Sequence, residues 1–236
     1  MKQSAFFARE METPAQRTMA SVLADNIRDD IISGALPPES KLRLKDLSER
    51  YGAGVIPLRE ALSRLAMTGF VRVEDQRGFS VTGISEAELH DISETRQRIE
   101  SDALRNAIAN GDIEWEGRIL SAFHRLSKLP MTIPGASPAL NPEWEQAHDS
   151  FHEAILSGGS SKWLIHFAHI LRDQTARYRH LSISGDTGEP RDVAAEHKAI
   201  LDAILARDAD KACALLCQHF ATTTRLVLAR RASHIS

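Results

Sequence analysis

The 236-residue sequence predicts a mainly α protein: an N-terminal winged helix-turn-helix followed by an all-α bundle of about six helices. Three observations carry that expectation. Residues 43–65, RLKDLSERYGAGVIPLREALSRL, read as two short helices joined at a glycine-marked corner. Residues 70–82 read as a small hairpin, and from Ile84 to Arg231 no credible strand follows. The composition, 42% hydrophobic and 26% charged, is that of a globular chain long enough for two small cores.

In chain order, residues 1–13 read as a frayed polar arm. Leu23, Ile27 and Ile31 then fall at i, i+4, i+8 and give a first helix, stopped by Gly34 and Pro37-Pro38. Leu44 and Leu47 give the second helix, Leu44–Tyr51, its apolar side. Gly52, Ala53 and Gly54 read as a corner where two backbones approach closely. Pro57 reads as the opening of the third helix, where its missing N–H costs nothing. There Leu58, Ala61, Leu62 and Leu65 form one buried stripe, leaving Arg59, Ser63 and Arg64 to point elsewhere. That is how a recognition helix meets a major groove. Phe70–Glu74 and Gly78–Thr82 follow as strands, with Asp75-Gln76-Arg77 at the tip of the wing. Between Lys41 and Arg72 seven basic residues stand against three acidic ones, in a chain of net charge −3. Helix pairs around a glycine turn are common in proteins that bind no DNA. The hairpin and the local basic patch shift the balance toward double-stranded DNA.

Ser85 reads as an N-cap with Glu88 three residues on, so a new helix starts at the joint. The expected division is a winged helix-turn-helix over 14–83, a linker over 84–87 and a helical domain over 88–231. Helices are expected near 86–109, 112–128, 142–157, 160–183, 190–206 and 208–231, with Pro130–Pro142 as the one long loop. The two cysteines, Cys213 and Cys217, lie four apart on one helix face, small and reduced rather than bridged. No apolar run approaches the ~20 residues that span a bilayer, and nothing resembles a secretory signal. A cytoplasmic location with no membrane partner is expected.

Polar residues on apolar stripes mark the chemistry. His148 and His152 share a stripe with Trp144, Phe151 and Ile155; His197 shares one with Val193, Ile200, Leu201 and Ile204; His219 sits beside Ala212, Leu215 and Leu216. A lone histidine on such a face is more often a hydrogen-bonded core residue. Four on three helices of one bundle are harder to dismiss as core residues, and imidazoles converging there would form a site for Zn or another borderline divalent ion. Arg96 lies within the stripe of Leu89, Ile92, Ile99 and Ala103. It reads either as an ion-pair partner of Glu100 or as a bidentate clamp for a carboxylate. Gln174 and Tyr178, placed inward with Phe167 and Leu171, are further hydrogen-bonding candidates, whereas Arg177 and Arg179 read as solvated.

The segment PPESKLRLKDLSERYGAGVIPLREALSRLAMTGFVRVEDQRGFSV resembles the N-terminal domain of GntR-superfamily transcription regulators. The resemblance spans about Met19 to Gly83 and implies DNA contacts from Lys45, Arg59 and the wing at Gln76, Arg77 and Gly78, with Arg43 as a further candidate. The sequence departs where the family carries a Ser/Thr-Arg-Thr-like run; here it is Gly54-Val55-Ile56, so a capping hydroxyl and one base-reading arginine are missing. Val55 and Ile56 are read as packing residues. The second half resembles the FCD-type domain of the FadR-like branch, in which a carboxylate and three histidines hold a metal. That implies His148, His152, His197 and His219 as ligands, with His148 where the family has Asp or Asn. The neighbouring Asp149 points about 100° away around the helix. Four neutral imidazoles leave Zn²⁺ or Ni²⁺ its full charge for an anionic ligand; without a metal, the histidines are left to bind a carboxylate directly. The family also places an arginine near its effector at the Arg96 position.

Locally, WEQAHDSFHEAI, DQTARYRHL and DVAAEHKAILDAILARDAD look similar to the carbon-starvation-induced, glutarate-responsive subgroup. The expectation is a homodimeric repressor that senses a small organic acid, a short dicarboxylate such as glutarate, and changes its grip on a two-fold operator. Two alternatives stand: a metalloenzyme using the four-histidine site, and an architectural DNA-binding protein with a structural metal.

Overall fold

A computed structural model describes residues 18–74, 78–133, 140–181 and 191–233. The chain divides at Gly83/Ile84 into two compact units, each with its own core.

In the first unit, α1 (Met19–Ile32) is capped by Thr18, whose hydroxyl accepts from the Ser21 N–H. Its stripe of Leu23, Ile27 and Ile31 packs with Leu47, Leu58, Leu62 and Phe70. α2 (Leu44–Tyr51) is fixed to α1 at its end, because Asp30 accepts from both the Tyr51 hydroxyl (2.5 Å) and Arg50 Nε (3.0 Å). The corner that follows works differently from the expectation. Gly52 is needed for its left-handed φ of 61°, which ends α2, and not for close approach: a Cβ added there would meet nothing within 4 Å.

α3 (Val55–Met67) begins two residues before Pro57. With Gly54 as the extended N-cap, Pro57 becomes the third helical residue. Its missing N–H is still one of the first four that lack an intrahelical acceptor, so the helix loses no bond. The wing strands are β2 (Val71–Glu74) and β3 (Gly78–Val81), paired antiparallel with Val71 opposite Val81. A strand without sequence warning, β1 (Lys41–Leu42), pairs with β3 and completes a sheet of order β1-β3-β2. Two residues are too few to show an alternation. The wing tip, with Gln76 and Arg77, lies outside the described residues.

In the second unit, α4 (Glu86–Asn110), α5 (Ile113–Ser127), α6 (Pro142–Leu156), α7 (Lys162–Leu181), α8 (Val193–Leu205) and α9 (Ala209–Ser233) follow the expected boundaries closely. Ser85 caps α4 by accepting from the Glu88 N–H (3.1 Å). The reciprocal half of the capping box is not made. Tyr178 of α7 takes its place, accepting from the Ser85 N–H (3.4 Å) and donating to the Glu88 carboxylate. Cys213 and Cys217 are both free thiols.

Phe151, Ile155, Ile200, Ile204 and Leu216 fill the bundle centre, and Trp115 anchors one end of it. The indole is fully buried and donates to the Ala154 carbonyl (2.9 Å). Two glycines admit it: a Cβ on Gly111 would lie 2.0 Å from the ring, and one on Gly158 would lie 2.8 Å from it. Gly111→Ala should therefore destabilise the bundle by about 3 kcal/mol, as overpacking of a pinned ring does. Thermal unfolding should show a midpoint several degrees lower; an unchanged midpoint would mean that the ring yields freely.

Candidate functional site

The DNA-reading candidates lie on α2, α3 and the wing. Leu58, Ala61, Leu62 and Leu65 are buried, which leaves Arg59 on the opposite, exposed face of α3. Arg43, the N-cap residue of α2, and Lys45 in its first turn are exposed as well. None of the three makes an ion pair among the described residues, in contrast to Arg50, held by Asp30, and Arg64, held by Glu60. Three uncommitted cations on the helix-turn-helix suit phosphates and guanine edges. Gly78 is exposed at the start of β3 with φ 98°, where the wing turns. Val55 and Ile56 correct the expectation of packing: they are 47% and 82% exposed and stand outside the core.

In the second unit, α6 contributes His148 and His152 one turn apart, α8 contributes His197, and α9 contributes His219. One ring nitrogen from each lies within 4.8 Å of the others, and all four side chains are buried. Phe151 and Phe220 wall the cluster, and Trp144 stacks on His148 at 4.9 Å. Among the described residues, His148 Nδ1, both nitrogens of His152 and His197 Nε2 are buried without a hydrogen-bond partner. Leaving polar atoms unsatisfied in a core costs about 1–3 kcal/mol each, so the arrangement makes little sense as packing.

The donor set fits a borderline divalent cation. In a tetrahedral site, bonds of about 2.0–2.1 Å place neighbouring ligand nitrogens about 3.3–3.4 Å apart, which ring rotations can reach from the 4.8 Å limit of this cluster. Burial holds all four imidazoles below their usual pKa, and neighbouring positive charges add to the effect; His197 falls to about 3. The rings are thus neutral, the form that ligates. His219 is also oriented. Its Nδ1 lies 2.7 Å from Glu196, which Arg191 grips through Nε (2.8 Å) and a terminal nitrogen (2.7 Å). Burial alone would raise the Glu196 carboxyl, but the hydrogen bonds from Arg191 and His219 outweigh it and hold it at about 2. A carboxylate behind a histidine is the usual way a ligand's tautomer is fixed. Asp149, half-exposed, stays out of the cluster; at 3.5 Å from His148 Nδ1 it is too far for a good hydrogen bond.

Arg96 joins this centre from α4. Its Nε donates to Glu100 (2.5 Å), and its guanidinium lies 3.9 Å over the Phe220 ring. The ion pair expected for Arg96 forms, and one of its terminal nitrogens keeps no hydrogen-bond partner among the described residues. Gln174 is buried and accepts from Arg177 (3.0 Å), while the Tyr178 hydroxyl is committed to the start of α4. Phe167, expected inside, is 45% exposed and stacks on Trp163 at 5.5 Å.

The expectation that Arg177 and Arg179 are solvated is overturned. Arg177 is 1% exposed, and Arg179 lies near Glu145 (3.5 Å) with its side chain 13% exposed. Arg179 is close enough for its charge to disfavour protonation of His148 and His197. None of Arg172, Arg179 and Arg191 was a site candidate from sequence. The first two were detectable, since Ala168, Arg172, Thr175 and Arg179 repeat at i, i+4, i+7, i+11 on the inward side of α7. A cleft of about 260 Å³ opens beside His197, lined by Phe123, Leu126, Leu129, Trp144 and Arg191.

Comparison with known proteins matches both halves. Residues 19–81 fit the family described as bacterial regulatory proteins, gntR family, and residues 91–222 fit the FCD domain. The HTH-type transcriptional repressor GlaR of Escherichia coli is 38% identical over 85% of this chain and 92% of its own. The uncharacterized HTH-type transcriptional regulator BphR of Paraburkholderia xenovorans is 39% identical over 89% and 86%. The solved structure of E. coli McbR/YncC superposes with a TM-score of 0.74 over 90% of this chain and 98% of its own; at 20% identity that is a likeness of fold. Regulators of this kind bind double-stranded DNA, and neither family is one of enzymes, which removes the metalloenzyme alternative. The chain belongs to the GntR family of DNA-binding transcriptional regulators, in the FadR-like branch that carries an FCD domain.

Proposed function

We propose that this regulator is a homodimeric repressor that senses a small organic acid at a metal held by His148, His152, His197 and His219. The observation that carries the reading is the buried imidazole cluster, three of whose members keep unpartnered nitrogens, beside the unspent donor of Arg96. Zn²⁺ or Ni²⁺ suits four neutral imidazoles, and such an ion supplies a positive centre that a carboxylate can join. Around it the chain's own groups bind and orient. Glu196 fixes the His219 ring, and Arg96 offers a second donor to the acid. Gln174 and Tyr178 belong to the same reading, although their hydrogen bonds to Arg177 and Glu88 leave Arg96 as the principal protein contact. A short dicarboxylate such as glutarate suits a centre with positive charge at the ion and at Arg96.

The DNA-binding domain of this reading is 14–83, joined by 84–87 to an effector domain over 88–231. Arg43, Lys45 and Arg59, with Gln76, Arg77 and Gly78 of the wing, hold a two-fold operator in the cytoplasm. Acid binding shifts the equilibrium between DNA-competent and released forms of the dimer by its differential affinity for them. Arg59→Ala should weaken operator binding by about 1–3 kcal/mol, read as a change in Kd at fixed salt. An unchanged Kd would take Arg59 out of the interface.

The reading is tested by thermal unfolding against C3–C6 mono- and dicarboxylates, with and without prior chelation. An acid at 100 times its Kd adds about 2.7 kcal/mol, which moves the midpoint by several degrees. A shift for one acid that chelation abolishes supports a metal-dependent effector site. A shift that survives chelation moves the weight to Arg96 and the histidines themselves, and no shift with any acid removes the effector reading.

A further inference from the structure

We infer that Val55 and Ile56 read thymine C5-methyl groups in the operator, so that this regulator replaces part of the usual hydrogen-bonded readout with aliphatic contact. The two residues open α3, and neither has a folding role there. Ile56 is 82% exposed and Val55 47%, and neither packs against the N-terminal core, which Leu58, Ala61, Leu62 and Leu65 close from the other side of the helix. Their N-cap, Gly54, offers no side-chain hydrogen bond. Branched aliphatics are also indifferent helix formers, so local stability does not account for them either.

Their place on the helix supplies the reason. The first residues of a recognition helix are those that meet base edges. Arg59 follows Ile56 by three residues and Val55 by four, which sets all of them on one side of α3. With Arg43 and Lys45 exposed on α2 and without an ion pair among the described residues, the aliphatic pair is set among cations that complement a phosphate backbone. A protein partner would meet those charges at a desolvation cost, whereas a major groove accepts both. The thymine methyl is the one apolar feature that groove presents, and aliphatic side chains recognise it by burial. The operator half-site should therefore carry one or two thymines opposite Val55 and Ile56, near the guanine that Arg59 favours.

Deoxyuridine, which pairs as thymine does but lacks the methyl, tests this directly. The full-length protein is used to enrich duplexes from a random library, and each thymine of the enriched sequence is replaced in turn by deoxyuridine. Binding should weaken roughly fourfold at one or two positions per half-site, the worth of one buried methyl. The doubly substituted protein, Val55→Ala with Ile56→Ala, should bind the thymine and deoxyuridine duplexes equally at those positions. Its salt dependence should be unchanged, since no phosphate contact is removed. Both residues are exposed, so the variant should keep the parent's thermal midpoint. The inference is overturned if no deoxyuridine weakens binding by the unmodified protein, or if the doubly substituted protein still distinguishes the two bases to the same degree.

Discussion

Replacing His152 by alanine should abolish tight metal binding and, in the absence of metal, cost the protein little. His152 is fully buried, and neither of its ring nitrogens has a hydrogen-bond partner among the described residues. With metal present it is one of four donors, and its loss leaves three imidazoles and a hole. Even the loss of an outer-shell partner lowers metal affinity 10–100-fold, so loss of a ligand should exceed that range. Without metal the balance changes sign for part of the effect. Truncation opens a cavity, which destabilises, but it also removes two buried polar atoms that nothing satisfies, which stabilises. The two contributions are of similar size and oppose each other. Titration of chelated protein with Zn²⁺ should therefore raise the midpoint of the parent by several degrees and that of the variant hardly at all. Should the chelated variant be several kcal/mol less stable than the chelated parent, His152 is a packing residue and the unpartnered nitrogens have misled. A parent that takes up no metal would remove the site itself.

The cluster was legible in the sequence because its geometry is local. Each histidine sits on an apolar stripe, and helical periodicity is enough to say that the stripe faces inward. His148 and His152, one turn apart, had to share a face, and the start of the bundle and its long loop could be read from Ser85 and from Pro130–Pro142. What the sequence hid were the residues whose burial is decided by partners far away in the chain. Arg177 carries a charge that the sequence alone assigns to solvent, and Gln174 brings it in. Arg179 lies on an inward stripe whose signal its charge outweighs, and it is held near Glu145 and Asp149. Arg191 precedes α8 and holds Glu196 and the Thr223 hydroxyl of α9, a role that no periodicity announces. The opposite error occurred at Phe167, Val55 and Ile56, apolar residues assigned to the interior that face solvent. A hydrophobic residue is only biased toward burial. Where it is left outside beside unpaired cations, something outside the chain explains it better than the core does.

The same four histidines should make the chelated protein acid-labile well above the range in which carboxylates titrate. Burial, with neighbouring guanidinium charges, depresses all four ring pKa values in the folded state. In the unfolded chain they return to about 6.5. Below that pH the unfolded state binds protons that the folded state refuses, so stability falls as pH falls. The loss begins near 6.5 and continues until the folded rings protonate, which for His197 is at about 3. A ring whose folded pKa stays well below the pH, as that of His197 does, contributes up to about 1.4 kcal/mol per pH unit, and the other three add to it in the same direction. A domain stable by about 5–15 kcal/mol should lose a substantial part of its margin between pH 6.5 and 5, before ordinary carboxylates near pKa 4 take part. Thermal midpoints of chelated protein should drop steeply over that interval. His152→Ala should flatten the slope by about one ring's share. Bound metal should move the onset to lower pH, because protons must then displace it from the ligands. A midpoint that stays level from pH 7 to 5 after chelation would mean that water or an anion already satisfies the rings, and the dry cluster on which the metal argument stands would fall with it.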